Sequence, residues 1–249
     1  MNKFYIQIVF FLLSASVYLN NTTLAAESVP GKATTSKSTN RYPTLEETIN
    51  AGKFMNEAVL HLIYHVMHGN DYKPCKIDCG PGMSLYKKKE GRTDIKKVYY
   101  SVNDSDKYNE IINDIWDPNT PNNFNTGTVK IVRVYNPNLV MIQQRYEEDS
   151  KGCQKYFYAL AKKIQIAEDA TVIAMASADI NDHNPYNKEY KNEIIENAKL
   201  FKTSVDPEDD IINGKLKKTF VNVAGYFIQK SSRRVDIAYV ESIDGHSSF

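Results

Sequence analysis

The sequence is poor in cysteine and has no excess charge of either sign. Three cysteines in 249 residues allow at most one intramolecular disulfide, which excludes the small disulfide-stabilised scaffolds. With 31 basic and 30 acidic residues the formal net charge is +1. The basic excess typical of nucleic-acid binding is therefore missing, and no nucleic-acid partner is expected. The length is sufficient for one large domain with a substantial core.

Motifs that mark common enzyme classes are absent as well. The sequence has no Gly-x-Ser-x-Gly nucleophile elbow. A glycine-rich segment at residues 79–82 lacks the Gly-Lys-Ser/Thr ending of a phosphate-binding loop. We therefore expect a protein that is not an enzyme and that needs no cofactor.

Three histidines form the strongest candidate for a metal site. His61, His65 and His68 are spaced for one side of a helix, and Cys75 and Cys79 follow shortly after them. The glutamate that follows the first histidine of a metalloprotease is missing. We interpret the histidines as a polar helix face and expect no metal, with a zinc enzyme as an alternative hypothesis.

The amino terminus has the charged, apolar and small-residue order of a secretory signal. Lys3 precedes an apolar run over residues 4–19, and Ala25 and Ala26 stand just before the first acidic residue. This order predicts a signal peptide at residues 1–26 and a secreted protein. The run is short for a membrane span, so an uncleaved anchor is the weaker alternative.

A polar segment separates this leader from the folded part. Residues 27–43 are rich in Ser, Thr and Lys and contain almost no large apolar residue, a composition typical of disordered linkers. We place the folded domain at residues 44–249. Secretion permits one disulfide, and the sequence leaves its connectivity open among Cys75, Cys79 and Cys153.

The order of the predicted elements indicates the fold class. Thr44 and Glu47 have the spacing of a capping box and open a long helix. Its apolar face comprises Met55, Ala58, Val59, Leu62, Ile63, Val66 and Met67. A hairpin over residues 83–102 follows, and then a second helix capped by Ser105. The residue pattern over 128–243 predicts a long antiparallel meander. This order is typical of an α+β fold, with a curved antiparallel sheet and packed helices around a ligand cavity.

Four strands carry an apolar row that one polar residue interrupts. The interrupting residues are Arg133, Gln144, Lys162 and Glu241. Alternate strand residues share a face, and a buried charge needs a partner. We therefore predict that the four meet at one polar spot in an apolar cavity, where Glu241 pairs with Lys162 or Arg133. Tyrosine hydroxyls add to its wall. The predicted ligand-binding residues are Arg133, Val140, Ile142, Gln144, Tyr146, Tyr158, Leu160, Lys162, Tyr226, Tyr239 and Glu241.

Basic residues cluster around the first predicted hairpin turn. The cluster comprises Lys87, Lys88, Lys89, Arg92, Lys96 and Lys97. Such a cluster either forms a solvated turn or contacts an anionic lipid surface. Both interpretations agree with the sequence.

Several segments resemble the fam-a proteins of rodent malaria parasites. They are Tyr99-Tyr100-Ser101-Val102-Asn103-Asp104-Ser105, Ile115-Trp116-Asp117-Pro118, Ala224-Gly225-Tyr226 and Tyr239-Val240-Glu241-Ser242-Ile243-Asp244-Gly245. The leader is similar to theirs too. The resemblance implies a domain related to START lipid-transfer domains, with a helix-grip fold that encloses a phosphatidylcholine-like phospholipid and contacts membranes transiently. It also implies secretion, to the parasitophorous vacuole or to the host erythrocyte.

The resemblance further concerns the interior of the tunnel and its lid. START domains often hold an acidic and a basic residue inside, and by strand order Gln144 and Lys162 occupy the nearest positions. A long carboxyl-terminal helix covers the tunnel in that family. Because this sequence ends at Phe249, we expect a domain without this lid. The alternative is a secreted host-interaction or adhesion module that keeps the fold, has lost lipid transfer and binds a host-cell partner of unknown identity.

Overall fold

The structure is a computed structural model that describes residues 42–69, 71–75, 82–122, 124, 126–186 and 190–245. The expected signal peptide at residues 1–26, all but the end of the expected linker, and Cys79 lie outside the described residues.

The long helices, the first hairpin and the long strands follow one another in the order that the sequence predicts, and several short elements lie between them. The helices are α1 (Leu45–Met67), α2 (Tyr108–Trp116) and α3 (Asp209–Ile212). The strands are β1 (Lys73–Pro74), β2 (Ser84–Glu90), β3 (Thr93–Val102), β4 (Thr128–Asn136), β5 (Leu139–Arg145), β6 (Lys155–Ala167), β7 (Ala170–Ala176), β8 (Asp179–Asn181), β9 (Lys202–Ser204), β10 (Lys217–Lys218), β11 (Phe220–Lys230) and β12 (Val235–Asp244).

Helix α1 begins where the sequence predicts. The Thr44 hydroxyl accepts a hydrogen bond from the Glu47 amide at 3.1 Å, which satisfies one of the free N–H groups of the first turn. The predicted apolar face is buried from Met55 to Val66. Met67 is an exception at 41 % exposure, because it stands about 100° around the helix from Val66 and points away from the sheet.

Helix α2 also forms, but its cap differs from the prediction. The Asp104 carboxylate accepts a hydrogen bond from the Asp106 amide at 3.0 Å and opens a short 3₁₀ turn, Ser105–Lys107. The predicted cap, Ser105, is therefore wrong by one residue. Both residue types are good caps, and Asp104 has the extended backbone that the position needs.

One large sheet dominates the fold. Its order is β1-β2-β3-β12-β11-β7-β6-β5-β4, and β10 pairs with β6. The neighbours along this path are antiparallel, while β10 runs parallel to β6. Because β3 forms hydrogen bonds with β12, the amino-terminal hairpin pairs with the strand that comes last in the sequence.

The central strands are buried on both faces. Every residue of β7 and nearly every residue of β5 is buried, and their continuous apolar runs are typical of strands covered on two sides. Helix α1 packs on one face, here the helix face, against residues such as Met141 and Leu160. Helix α2 partly covers the opposite face, here the groove face, next to Ile173 and Tyr226.

The structure of β4 differs from the prediction that Arg133 interrupts an apolar row. A bulge between Ile131 and Arg133 shifts the pairing, so that Ile131 lies opposite Ile142 and Arg133 lies opposite Met141. The extra residue of a bulge reverses the side to which later residues point. Arg133 therefore points to the helix face and does not interrupt the row that contains Val129 and Ile131.

Two further predictions concern membranes and disulfides. Among the described helices, none is long and apolar enough to span a bilayer. Cys75 and Cys153 are both free within the described residues, so these two do not form a bridge. The pairing of Cys79 stays a prediction.

Candidate functional site

An apolar groove lies on the groove face, between the end of α2 and the strands. It encloses a volume of about 90 Å³. Its residues come from α2, the segment that follows it, and strands β4, β5, β6, β7 and β11. They are Ile115, Trp116, Asp117, Pro118, Thr120, Asn122, Val129, Ile131, Val140, Ile142, Gln144, Ala161, Ile173, Met175, Gly225 and Tyr226.

Two polar side chains reach this groove from the sheet. The Gln144 amide nitrogen donates to the Thr126 carbonyl oxygen at 2.9 Å. The Tyr226 hydroxyl donates to the Asn122 side-chain oxygen at 2.9 Å. Burial raises the pKa of the Tyr226 hydroxyl, so the group stays a neutral donor. The sheet side of the groove is thus apolar except for two neutral hydrogen-bonding groups, and the segment after α2 adds the polar residues Asp117, Thr120 and Asn122.

A charged pair lies beyond this groove on the same face. The Glu241 carboxylate is 3.5 Å from the Lys96 ammonium and accepts from the Tyr239 hydroxyl at 3.0 Å. Burial, and then the Glu241 charge, raises the pKa of Tyr239 well above its usual value. The predicted pairing of Glu241 with Lys162 or Arg133 is wrong, because both basic side chains project from the helix face.

The Phe124 ring covers Tyr239 and Tyr226, next to the pair of Lys96 and Glu241. Its ring stacks on Tyr239 with centroids 4.6 Å apart, and it also contacts the rings of Tyr226 and Tyr100. The side chain is 6 % exposed. This aromatic cluster fills the part of the groove face that lies between α2 and the charged pair.

The predicted ligand-binding residues divide between the two faces. Val140, Ile142, Gln144, Tyr146, Tyr226, Tyr239 and Glu241 lie on the groove face. Arg133, Tyr158, Leu160 and Lys162 lie on the helix face. The structure therefore brings together the first set only, and Gln144 and Lys162 do not face a common tunnel.

Two of the helix-face residues, Arg133 and Lys162, bond to side chains of α1. Arg133 donates to the Glu47 carboxylate and to the Ser204 carbonyl. Tyr158 accepts from the Gln143 amide at 2.6 Å. Leu160 is fully buried beneath the helix, and the Lys162 ammonium donates to the Asn56 side-chain oxygen. These contacts explain the burial of Arg133, Tyr158 and Leu160 without a ligand, whereas Lys162 has a neutral partner for its charge.

The sequence interpretation missed several groove residues. They are Ile115, Trp116, Val129, Ile131, Ala161, Ile173 and Met175, together with Lys96 as the partner of Glu241. A signal was present, because β6 and β7 are apolar at odd and even positions alike. Strands of this kind need cover on both faces, which predicts two apolar surfaces.

The histidines of α1 do not share an exposed face. His65 is fully buried, with its Nδ1 3.1 Å from the Tyr72 hydroxyl. His61 lies 3.6 Å from the Glu57 carboxylate, while His68 stacks on Tyr64. Their prediction as a polar face is wrong for His65, because Tyr72 covers that side of the helix. Within the described ranges, no group of three potential ligands is arranged to hold a metal ion.

The basic cluster is less exposed than its sequence suggests. Lys97 is 1 % exposed and donates to the carbonyl oxygens of His65 and His68 at 2.8 and 3.0 Å. Lys96 pairs with Glu241, and Lys88 pairs with Glu90. The cluster is therefore not a continuous basic surface.

The comparisons with known proteins bear on the fold. No family model and no curated protein sequence matches the chain. Among solved structures, the chain is similar to human StAR-related lipid transfer protein 5, with a TM-score of 0.55, 10 % identity, and coverage of 79 % of this chain and 83 % of that chain. It is also similar to human STARD10, with a TM-score of 0.49, 12 % identity and coverage of 77 % and 68 %.

The similarity to the first of these structures confirms the predicted fold class. The chain has an α+β helix-grip fold of the START type, in which a curved antiparallel sheet packs against helices. A shared fold at this identity does not by itself fix the ligand. The functional argument therefore depends on the groove.

Proposed function

We propose that the protein binds a lipid in the groove and moves it between membranes without catalysis. The observation that supports this most directly is the apolar sheet side of the groove, which carries two neutral hydrogen-bonding groups, Gln144 and Tyr226, on the face opposite α1. Pockets for amphipathic ligands have this combination. A structure similar in fold is named a lipid transfer protein. The lipid we propose is a phospholipid with a phosphatidylcholine-like headgroup.

The volume of the groove is small compared with that of known ligand pockets. Its 90 Å³ is far below the roughly 300–1,000 Å³ typical of ligand pockets. Phe124 and the tyrosines that it covers occupy the adjoining space. We infer that a lipid enters only when the Phe124 ring leaves this position, so the described state is a closed one.

Exchange of labelled phosphatidylcholine between vesicles tests this proposal. Phe124→Ala should raise the exchange rate about two- to tenfold, since one aromatic pair contributes about 0.5–1.5 kcal/mol. Ile142→Trp, which fills the groove, should reduce exchange. Ile212→Trp is the matched control, because Ile212 lies in α3 and is 43 % exposed. Absence of copurifying lipid and of exchange in both the wild type and Phe124→Ala would refute lipid transfer.

The small volume also favours a second candidate function. A secreted module that binds a host-cell partner through its surface needs no open tunnel. On this hypothesis Ile142→Trp captures the same host-cell protein as the wild type, whereas Phe124→Ala gains no phospholipid exchange. Loss of capture in Ile142→Trp together with loss of lipid would favour the first function.

We further propose that the chain is a fam-a protein that the parasite secretes. The segments around Trp116 and Gly225 and the signal-like residues 1–26 support this. The mature amino terminus, determined by mass spectrometry of the native protein, should lie near Ala26. A native protein that retains Lys3 would instead favour the membrane-anchor alternative. Immunofluorescence of infected erythrocytes would separate the vacuole from the host cell as its destination.

A further inference from the structure

A second cavity lies beside the turn between β4 and β5. Strand β5 begins at Leu139, opposite Lys162, whereas β6 continues to Ala167. The overhang of β6 leaves a notch that the starts of α1 and α2 flank. The cavity encloses about 710 Å³, which lies within the roughly 300–1,000 Å³ of ligand pockets. Its described lining is Leu45, Thr48, Ile49, Gly52, Tyr108, Asn109, Ile112, Asn136, Pro137, Asn138, Leu139, Lys162, Lys163, Ile164, Gln165 and Thr171.

Lys162 places a buried positive charge on the wall of this cavity. The residue is 8 % exposed, and its ammonium donates to the neutral side-chain oxygen of Asn56. Lys162 forms no ion pair with any residue that the structure describes. Burial lowers its pKa to about 8. A buried ammonium with a neutral partner is unfavourable, and an anion beside it would stabilise the charge.

The other charged side chain in the described lining, that of Lys163, is also basic. Among the described residues, the wall contains two lysines, Lys162 and Lys163, and no carboxylate. The Lys163 ammonium lies 5.1 Å from the centre of the Trp116 ring, and this contact leaves its charge unneutralised. Both cations therefore attract an anion into the same cavity.

Apolar side chains from both helices and from β6 also line the cavity. Leu45 and Ile49 of α1 are 70 % and 39 % exposed, and Ile112 and Ile164 continue the apolar wall. Contact with an aliphatic chain would remove these side chains from water, which is favourable in proportion to the area covered. The cavity thus combines a buried cation with exposed apolar side chains on the start of α1.

We propose that this cavity binds a single-chain anionic amphiphile, whose carboxylate or phosphate headgroup contacts Lys162 and whose chain packs on Leu45 and Ile49. The cavity shares no lining residue with the groove, and Lys162 and α1 reach it from the helix face, although α2 and Lys163 reach it from the groove face. The protein therefore has a second ligand, of different charge from the one proposed for the groove.

Calorimetric titration with decanoate, decyl phosphate and decanol, below the concentrations at which they form micelles, tests this proposal. The two anions should bind the wild type and decanol should not. Lys162→Met should weaken the binding of both anions about tenfold or more, since a hydrogen bond to a charged group contributes about 1.5–3 kcal/mol. Lys155→Met is the matched control, because Lys155 lies on the same strand outside the cavity, and should bind as the wild type does.

A second variant tests the proposal without removing Lys162. Asn56→Asp places a carboxylate against the Lys162 ammonium and should weaken anion binding by a similar factor while Lys162 stays in place. Melting temperatures identify any variant that does not fold. Equal binding of the anions by Lys162→Met or Asn56→Asp, or equal binding of decanol, would overturn the proposal. Inorganic phosphate that binds as tightly as decyl phosphate would overturn the amphiphile and leave a free anion.

Discussion

At the scale of single residues, the end of α1 shows why a charge that looks exposed in the sequence is buried in the fold. Lys97 donates to the carbonyl oxygens of His65 and His68, and its ammonium lies 3.9 Å from the centre of the Tyr72 ring. The last carbonyls of a helix carry partial negative charge. Lys97 thus stabilises α1 from the neighbouring hairpin, a contact between residues that are far apart in the sequence.

His65 makes the stability of the protein depend on pH. Burial lowers its pKa from 6.5 to about 4, so the unfolded chain binds its proton more readily than the folded chain. The free energy of unfolding should therefore fall as pH drops from 6.5 to 4, by about 3 kcal/mol from this residue. Urea unfolding across this range measures the effect, which His65→Phe should remove.

The half-buried His61 serves as the control for this measurement. His61→Gln should retain the pH dependence of the wild type, because His61 lies at the helix surface beside Glu57. If His65→Phe keeps the full dependence between these pH values, another group is responsible and the interpretation of His65 is wrong.

At the scale of elements, the contact between α1 and the sheet depends on one glycine. Gly225 of β11 has a φ of +143°, and a Cβ there would stand 2.8 Å from Leu62 Cδ1 and would clash with the Ile173 carbonyl oxygen. Side chains rarely adopt this backbone conformation. The absence of a side chain therefore lets α1 lie close to β11.

Gly225→Ala should lower the free energy of unfolding by about 3 kcal/mol or more, through steric overlap and backbone strain. Denaturant unfolding measures the loss. Gly69→Ala is the control, because a Cβ at Gly69 meets nothing within 4 Å, and it should shift stability by less than about 1 kcal/mol. A stable Gly225→Ala variant would show that α1 can move away from the sheet at little cost.

The sequence predicts the helices and strands more accurately than it predicts which side chains lie on which face of the sheet. The Thr44 cap and the first hairpin follow from local chemistry, and the structure confirms them. Arg133 was assigned to the wrong face because no local signal marks the bulge in β4. Lys162 was assigned to the groove because alternation fixes which residues share a face, but not which helix covers that face.

At the scale of the whole molecule, the sheet connects the first and last parts of the domain. Strand β12 bonds to β3 on one side and to β11 on the other. Loss of any central strand would expose apolar surface on both faces. Thermal unfolding should therefore be one cooperative transition, with far-ultraviolet and near-ultraviolet circular dichroism giving the same midpoint.

The same experiment on Gly225→Ala gives the control, because both signals should move together to a lower temperature. Separate midpoints for the two signals in the wild type would contradict the prediction. They would show that the hairpin of β2 and β3 melts independently of the remaining sheet.

The two outer strands of the sheet affect how the protein behaves at high concentration. In the part of the chain that the structure describes, these are β1, which has two residues and ends in Pro74, and β4, which is interrupted by bulges and carries Lys130 and Arg133. Short, bulged, charged or proline-containing edges hinder strand addition from another molecule. A sheet rich in apolar residues is thereby protected against self-association into fibrils.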